Sequence, residues 1–105
     1  PGQPFYVTSE SEVTTWKGTL GDDGNFRTLT PFVQQGGEGL AVDAAGNLFL
    51  AAGHVYVYNP EGRLIDTIEV PERPVQVVFG GADRRTLFIA ARTSLYSVRV
   101  RVPGR

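Results

Sequence analysis

The segment LFLAAG, residues 48–53, decides the fold because it returns as LFIAAR at residues 87–92, thirty-nine positions later. A looser version, PFYVTS, occupies residues 4–9. Each copy precedes a short loop and a second strand-like segment, HVYVYN, TSLYSV or EVTTWK. A repeat of about 40 residues with four short strands is typical of a β-propeller blade, which buries its faces against neighbouring blades.

Glycine and proline divide the rest of the chain into similar short segments. The 105 residues include 13 Gly and 7 Pro, and no segment keeps the apolar period of an amphipathic helix. Tight turns are expected at residues 21–25, 44–47 and 59–62, where Gly, Asn, Asp and Pro favour chain reversal. We therefore predict an all-β chain, with strands at residues 5–8, 14–20, 26–33, 40–43, 48–52, 55–59, 64–70, 75–79, 87–91 and 95–102.

The repeat predicts about two and a half four-stranded antiparallel blades in a single propeller-like segment, residues 1–105. A partial blade is expected at residues 5–33, a full blade at 36–70 and a second partial blade at 75–102. A closed propeller needs about four to eight blades, so the ring in this chain is predicted to be incomplete. We expect a fragment, a processed product or a self-associating unit, since exposed blade faces and edges associate. The alternative is a β-sandwich with coincidental repeats.

Composition excludes several classes of function. Ten Lys and Arg against eleven Asp and Glu give a net charge of -1, which provides no field for nucleic acid or an anionic membrane. The absence of Cys excludes disulfides, thiolate zinc sites and cysteine nucleophiles. No apolar run approaches the ~20 residues that cross a bilayer. We expect neither a nucleic-acid nor a membrane partner, and the compartment stays open.

Glu38 is the main candidate for chemistry, because it lies between glycines at the entrance to an apolar strand. In a meander blade alternate loops share one rim, which would place Glu38 at the mouth of the central channel. Arg73 and Arg92 would lie on the same rim, and His54 would lie there too but further from the axis. Flanking glycines let a ligand approach the backbone. The alternative is a solvated surface charge. The two arginines would face a carboxylated or phosphorylated substrate, or serve only solubility.

Two further polar residues have simpler interpretations. His54 is the only histidine, and one His does not make a zinc site. A general base of this type would suit neutral pH, but an ordinary polar turn residue is the favoured interpretation. Asp43 ends a strand just before Ala44-Ala45-Gly46, so we interpret it as a structural turn residue.

Four motifs carry a family resemblance: GGEG at residues 36–39, DAAGNLFLA at 43–51, RPVQVVFGG at 73–81 and TLFIAA at 86–91. Their order and spacing resemble the carboxy-terminal blades of the senescence-marker-protein and gluconolactonase family of six-bladed propellers. The match covers residues 36–104. Members of that family are metal-dependent lactone hydrolases, with a divalent cation such as calcium or zinc at the mouth of the channel.

The resemblance implies roles for two residues of this chain. The family's cation ligands are a Glu in an early blade, an Asn in a middle blade and an Asp at the entrance to a later blade. Only the last position is present, where Glu38 would be both metal ligand and catalytic base. Glu keeps the oxygen donors but is one methylene longer than Asp. Gln76 replaces an Asn that is usual near the channel.

The implied function is that of the carboxy-terminal portion of a metal-dependent lactone (ester) hydrolase, inactive as an isolated chain. Its partner would be a small lactone or sugar-acid derivative. Calcium or zinc would bind only in the complete propeller, which missing blades or self-association would supply. The alternative is a non-catalytic, propeller-derived binding or assembly module with a degenerate site.

Overall fold

A computed structural model describes residues 4–105, apart from the side chains of residues 26–28. Within that range every regular element is a strand, which confirms the all-β prediction. The strands are β1 (Phe5–Ser9), β2 (Thr14–Leu20), β3 (Phe26–Val33), β4 (Gly39–Val42), β5 (Leu48–Ala52), β6 (His54–Tyr58), β7 (Leu64–Ile68), β8 (Pro74–Gly80), β9 (Thr86–Ala91) and β10 (Leu95–Arg99). No helix in the described part of the chain is long and apolar enough to span a membrane.

The chain divides into two units, Pro1–Gly36 and Gly37–Arg105. The first unit contains one antiparallel sheet in the order β1-β2-β3. Its central strand is anchored by Thr15, which is fully buried and donates its hydroxyl hydrogen to the carbonyl oxygen of Gln35 at 2.7 Å. Tyr6 and Phe32 pack at 5.2 Å between ring centroids.

The second unit contains two antiparallel sheets, one ordered β4-β5-β6-β7 and one ordered β10-β9-β8. Strand β8 packs against β4 and β5, so the two sheets share one core. Phe49 and Phe79 meet there edge to face, at 5.1 Å between centroids. The buried cluster comprises Phe49, Ala51, Val55, Val57, Val70, Val77, Phe79, Leu87 and Ile89. These sheets have the strand number and meander order expected of one full and one partial blade.

Two hairpin turns of the four-stranded sheet, residues 43–47 and 59–63, share one hydrogen-bond pattern. In each, the Oδ1 atom of the first residue accepts the backbone N–H groups of the third and fifth residues. The distances are 3.0 and 2.8 Å from Asp43 and 3.1 and 2.9 Å from Asn59. The fourth residue is glycine in both, with φ of 89° and 83°. Asp43 is therefore a buried structural residue, as the sequence predicted.

Residues 100–105 leave the predicted strand and form a strap, which is why β10 ends at Arg99 rather than at residue 102. Arg84 holds the strap with two hydrogen bonds. Its Nε atom donates to the carbonyl oxygen of Gly104 at 3.2 Å, and its Nη2 atom donates to that of Arg105 at 2.6 Å. The backbone of Gly104 also pairs with Asp43 as an isolated β-bridge. The strap thereby ties the β8–β9 turn to the end of β4.

The strap depends on the absence of a side chain at Gly104. A Cβ atom there would lie 2.3 Å from Cβ of Phe79, far inside contact distance. We expect Gly104→Ala to lower the free energy of unfolding of the second unit by about 1–3 kcal/mol, as overpacking does. Urea unfolding measures this, and Ala82→Ser, at an exposed turn position, is the control. Equal stability of Gly104→Ala and wild type would contradict the described packing.

Asp43 supports a second stability prediction, because it is 2% exposed and accepts three hydrogen bonds from the Ala45 and Asn47 N–H groups and the Asn47 side-chain amide. Asp43→Ala leaves these donors without an acceptor and should cost about 2–3 kcal/mol. Asn59→Ala, in the exposed equivalent turn, should cost about 1 kcal/mol. Asp43→Asn keeps the acceptor and should fall between wild type and Asp43→Ala. A larger loss at Asn59 than at Asp43 would refute the assignment.

Candidate functional site

One edge of the second unit carries the candidate residues, and we call it the Glu38 rim. It consists of Gly37 and Glu38 before β4, Gly53 between β5 and β6, residues 69–73 between β7 and β8, and residues 92–94 between β9 and β10. The strand registers place these loops at one end of their sheets. The hairpin turns at residues 43–47 and 59–63 lie at the opposite end.

Glu38 is fixed to the rim at both its backbone and its side chain. Its N–H group donates to the carbonyl oxygen of Ala51 at 2.9 Å, which extends the β4–β5 ladder by one residue. Its Oε2 atom accepts a hydrogen bond from Nε of Arg73 at 3.0 Å. The side chains of Glu38 and Arg73 are 34% and 59% exposed, so this ion pair faces solvent and orients the carboxylate more than it stabilises the fold.

Gln76 is the second residue that the structure brings to Glu38. Its Oε1 atom lies 2.6 Å from the position that a Cβ on Gly39 would occupy, so the Gln76 side chain covers the residue next to Glu38. The same oxygen accepts the N–H of Val77 at 3.0 Å. Only glycine at position 39 allows this approach of β8 to β4.

His54 has a structural partner on the rim. Its Nδ1 atom accepts the backbone N–H of Val70 at 3.1 Å, which holds the segment after β7 against the start of β6. Because Nδ1 is an acceptor here, the neutral ring carries its proton on Nε2. Nε2 is therefore the nitrogen through which His54 would make the predicted rim contact.

Arg73 and Arg92 lie next to each other across the β8–β9 ladder. Pro74 is paired with Ala91, and the two arginines are the next residues outward on each strand. Both are exposed. Arg73 is bound to Glu38, whereas Arg92 makes no hydrogen bond or ion pair within residues 4–105 as described.

Glu72 is a rim residue that the sequence analysis did not single out. It accepts hydrogen bonds from the hydroxyl groups of Thr93, Ser94 and Tyr96, and the Tyr96 bond measures 3.0 Å. These bonds, that from Ser94 first, lower the pKa of Glu72 from 4.5 to about 2. No local pattern in the sequence indicates these bonds, because Glu72 lies 21 to 24 positions from Thr93 and Tyr96.

The described residues do not by themselves form a cation site. No group of three or more His, Asp or Glu side chains within the described range is placed to hold a metal ion. Glu38 offers oxygen donors of the type that hard cations prefer, but one of its oxygens is bound to Arg73. A groove of about 500 Å³, lined by Phe49, Val57, Ile68 and Val98 among others, includes none of the predicted site residues.

The low pKa of Glu72 predicts a pH dependence of stability. A carboxyl group whose pKa falls from 4.5 to about 2 on folding stabilises the fold above its usual pKa, and that contribution is lost as the pH falls to about 2. Asp83, whose pKa is lowered to about 2 by the hydrogen bond from Arg99, acts in the same pH range. We expect Glu72→Gln to lower stability at neutral pH and to match wild type near pH 2.

Urea unfolding across this range measures the difference between the two proteins. Glu61→Gln is the control, because the Glu61 carboxylate makes no hydrogen bond within the described residues. A constant offset between Glu72→Gln and wild type at all pH values would show that the Thr93, Ser94 and Tyr96 bonds do not depend on the charge of Glu72.

Comparison with known proteins identifies the family to which this sequence and fold are similar. The profile described as SMP-30/Gluconolactonase/LRE-like region matches residues 3–93. A 6-deoxy-6-sulfogluconolactonase from Pseudomonas putida is 32% identical over 106 aligned positions, which cover 80% of this chain and 36% of that protein. An X-ray structure described as a candidate gluconolactonase superposes with a TM-score of 0.79 at 25% identity, covering 99% of this chain and 37% of its own.

The chain thus spans little more than a third of the length of these relatives. The profile match extends over most of its residues and includes the entrance loop with Glu38 and the β8–β9 region. The structural likeness confirms the propeller-blade prediction for its sheets. The chain belongs to the SMP-30/gluconolactonase/LRE-like family.

Proposed function

We propose that this chain is the part of a lactone hydrolase that supplies the Glu38 rim. Family membership supports a lactonase-type activity, and the single observation that carries the residue assignment is the orientation of Glu38 by Arg73 beside Gln76. The substrate would be a small sugar lactone. The Pseudomonas putida relative is named for a gluconolactone with a sulfo group, which makes an anionic lactone one candidate.

In this proposal the Glu38 carboxylate is the general base. A free Glu38 oxygen removes a proton from water while the water oxygen attacks the lactone carbonyl carbon. The ring carbon–oxygen bond then breaks, and the leaving alkoxide takes up the proton to give the open hydroxy acid. Arg73 holds the carboxylate in position through Oε2, which leaves Oε1 for the water. The open rim gives a small lactone access to that oxygen.

A divalent cation, calcium or zinc, is the proposed cofactor of the complete protein. Glu38 would contribute one ligand, and the others would come from outside this chain, since the described residues offer no three-ligand group. When bound, such an ion would polarise the carbonyl and make the attacking water more acidic. The isolated chain is proposed to be inactive until further blades or copies of the chain complete the propeller.

A non-catalytic assembly module is the second candidate. The observation that favours it is that no three metal-ligating side chains come together among the described residues. The two functions differ in cation dependence, because only the hydrolase requires binding of a cation to be linked to turnover.

Glu38→Gln separates the two functions. Loss of a general base should lower kcat for glucono-lactone hydrolysis by about 10²–10⁴-fold, while the amide still accepts the Arg73 hydrogen bond. The assay uses the full-length protein with calcium and after chelation. We expect activity only with the cation and only with Glu38 intact.

Glu61→Gln, in a turn at the opposite end of the sheet, is the matched control and should keep wild-type kcat. Circular dichroism confirms that each variant is folded. Equal hydrolysis by Glu38→Gln and wild type rejects the base assignment. Absence of hydrolysis in the wild-type protein with calcium and with zinc supports the assembly module instead.

A further inference from the structure

The end of the β8–β9 ladder brings two arginines to neighbouring positions of the rim. Arg73 and Arg92 are the residues just outside the Pro74–Ala91 pair, so the two arginines follow adjacent strands at the same level of the sheet. Like charges at neighbouring positions of a sheet repel each other. Solvent weakens this repulsion because both side chains are exposed, and an acidic side chain or a bound anion would reduce it further.

The acidic residues of the rim compensate only one of the two arginines. Glu38 pairs with Arg73 at 3.0 Å. Glu72 is engaged by the hydroxyl groups of the Thr93, Ser94 and Tyr96 side chains instead, and Glu69, the exposed residue after β7, makes no ion pair within the described residues. Arg92 makes no ion pair within the described residues. One exposed cation at the rim is therefore left for a ligand.

The loop that carries Arg92 is held in place from both sides. The backbone N–H of Ala91 donates to the carbonyl oxygen of Ser94 at 2.9 Å, which closes a tight turn around Arg92 and Thr93. Glu72 fixes the other side of that turn through Thr93 and Tyr96. The backbone of Arg92 is thus ordered before any ligand arrives, which lowers the entropic cost of binding.

We propose that Arg92, with Arg73 beside it, binds a negatively charged substituent of the substrate. A guanidinium group donates two parallel hydrogen bonds to a carboxylate, sulfonate or phosphate, which matches the geometry of such oxyanions. Glu38 would then act at the lactone end of the molecule and Arg92 at its charged end. This inference rests on the proposed function and adds the charge of the substrate to it.

The test uses two probes without a lactone, sorbitol 6-phosphate and sorbitol, which differ only in the anionic group. Calorimetric binding to the full-length protein should favour the phosphate over sorbitol by at least about tenfold, the ratio expected for a charge-assisted pair. Arg92→Ala should remove most of that preference, and Arg92→Lys should keep part of it. Sorbitol binding should not change in either variant.

Arg63→Ala is the matched control, because Arg63 is an exposed arginine in the turn at the opposite end of the sheet. The inference fails if wild type does not prefer the phosphate, if Arg92→Ala keeps the preference, or if Arg63→Ala loses it equally. Hydrolysis of the neutral glucono-lactone is measured in parallel. If the protein prefers the phosphate but does not hydrolyse the lactone, only the lactonase role is rejected. If it hydrolyses the lactone but does not prefer the phosphate, only the anion site is rejected.

Discussion

The burial of β8 against β4 and β5 is the constraint on which the second unit depends. It unites two sheets that share Phe49, Val77 and Phe79 in one cluster, and neither sheet of three or four short strands buries both faces without it. The contact also requires glycine at position 39, where the backbone of β4 lies against the Gln76 side chain of β8.

The same contact also brings the residues of the Glu38 rim together. Because β8 lies beside β4, the loop before β8 brings Arg73 to Glu38, and the start of β8 places the Gln76 side chain over Gly39. A carboxylate that would otherwise move freely in a glycine-rich loop is held by one guanidinium group. The orientation and the solvent access of the Glu38 carboxylate are thus consequences of how these two sheets pack.

The sequence was sufficient for most of the strands, since residues 48–52 and 87–91 are short apolar runs that repeat thirty-nine positions apart between turn residues, and the turn at residues 43–47 has a local mechanism. It predicted the rim as a set of loops but not the partners within it. The Glu38–Arg73 pair joins residues 35 positions apart, and the Glu72 bonds cross between two loops. Such contacts follow from packing of whole sheets, which local patterns do not encode. The strap was missed for the same reason, since Arg84 binds carbonyl oxygens 20 and 21 positions away.

The paired turns at residues 43–47 and 59–63 have a consequence for how this scaffold can change. They set the strand register through side-chain and backbone hydrogen bonds at one end of the sheet, and the strap reinforces that end. The loops at the other end do not have to set the strand register, because the turns already determine it. Substitutions among residues such as Glu38, Arg73 and Arg92 can therefore alter the chemistry of the rim while foldability is preserved. During evolution, the turns at residues 43–47 and 59–63 can thus maintain the strand alignment while the sequence of the rim loops changes.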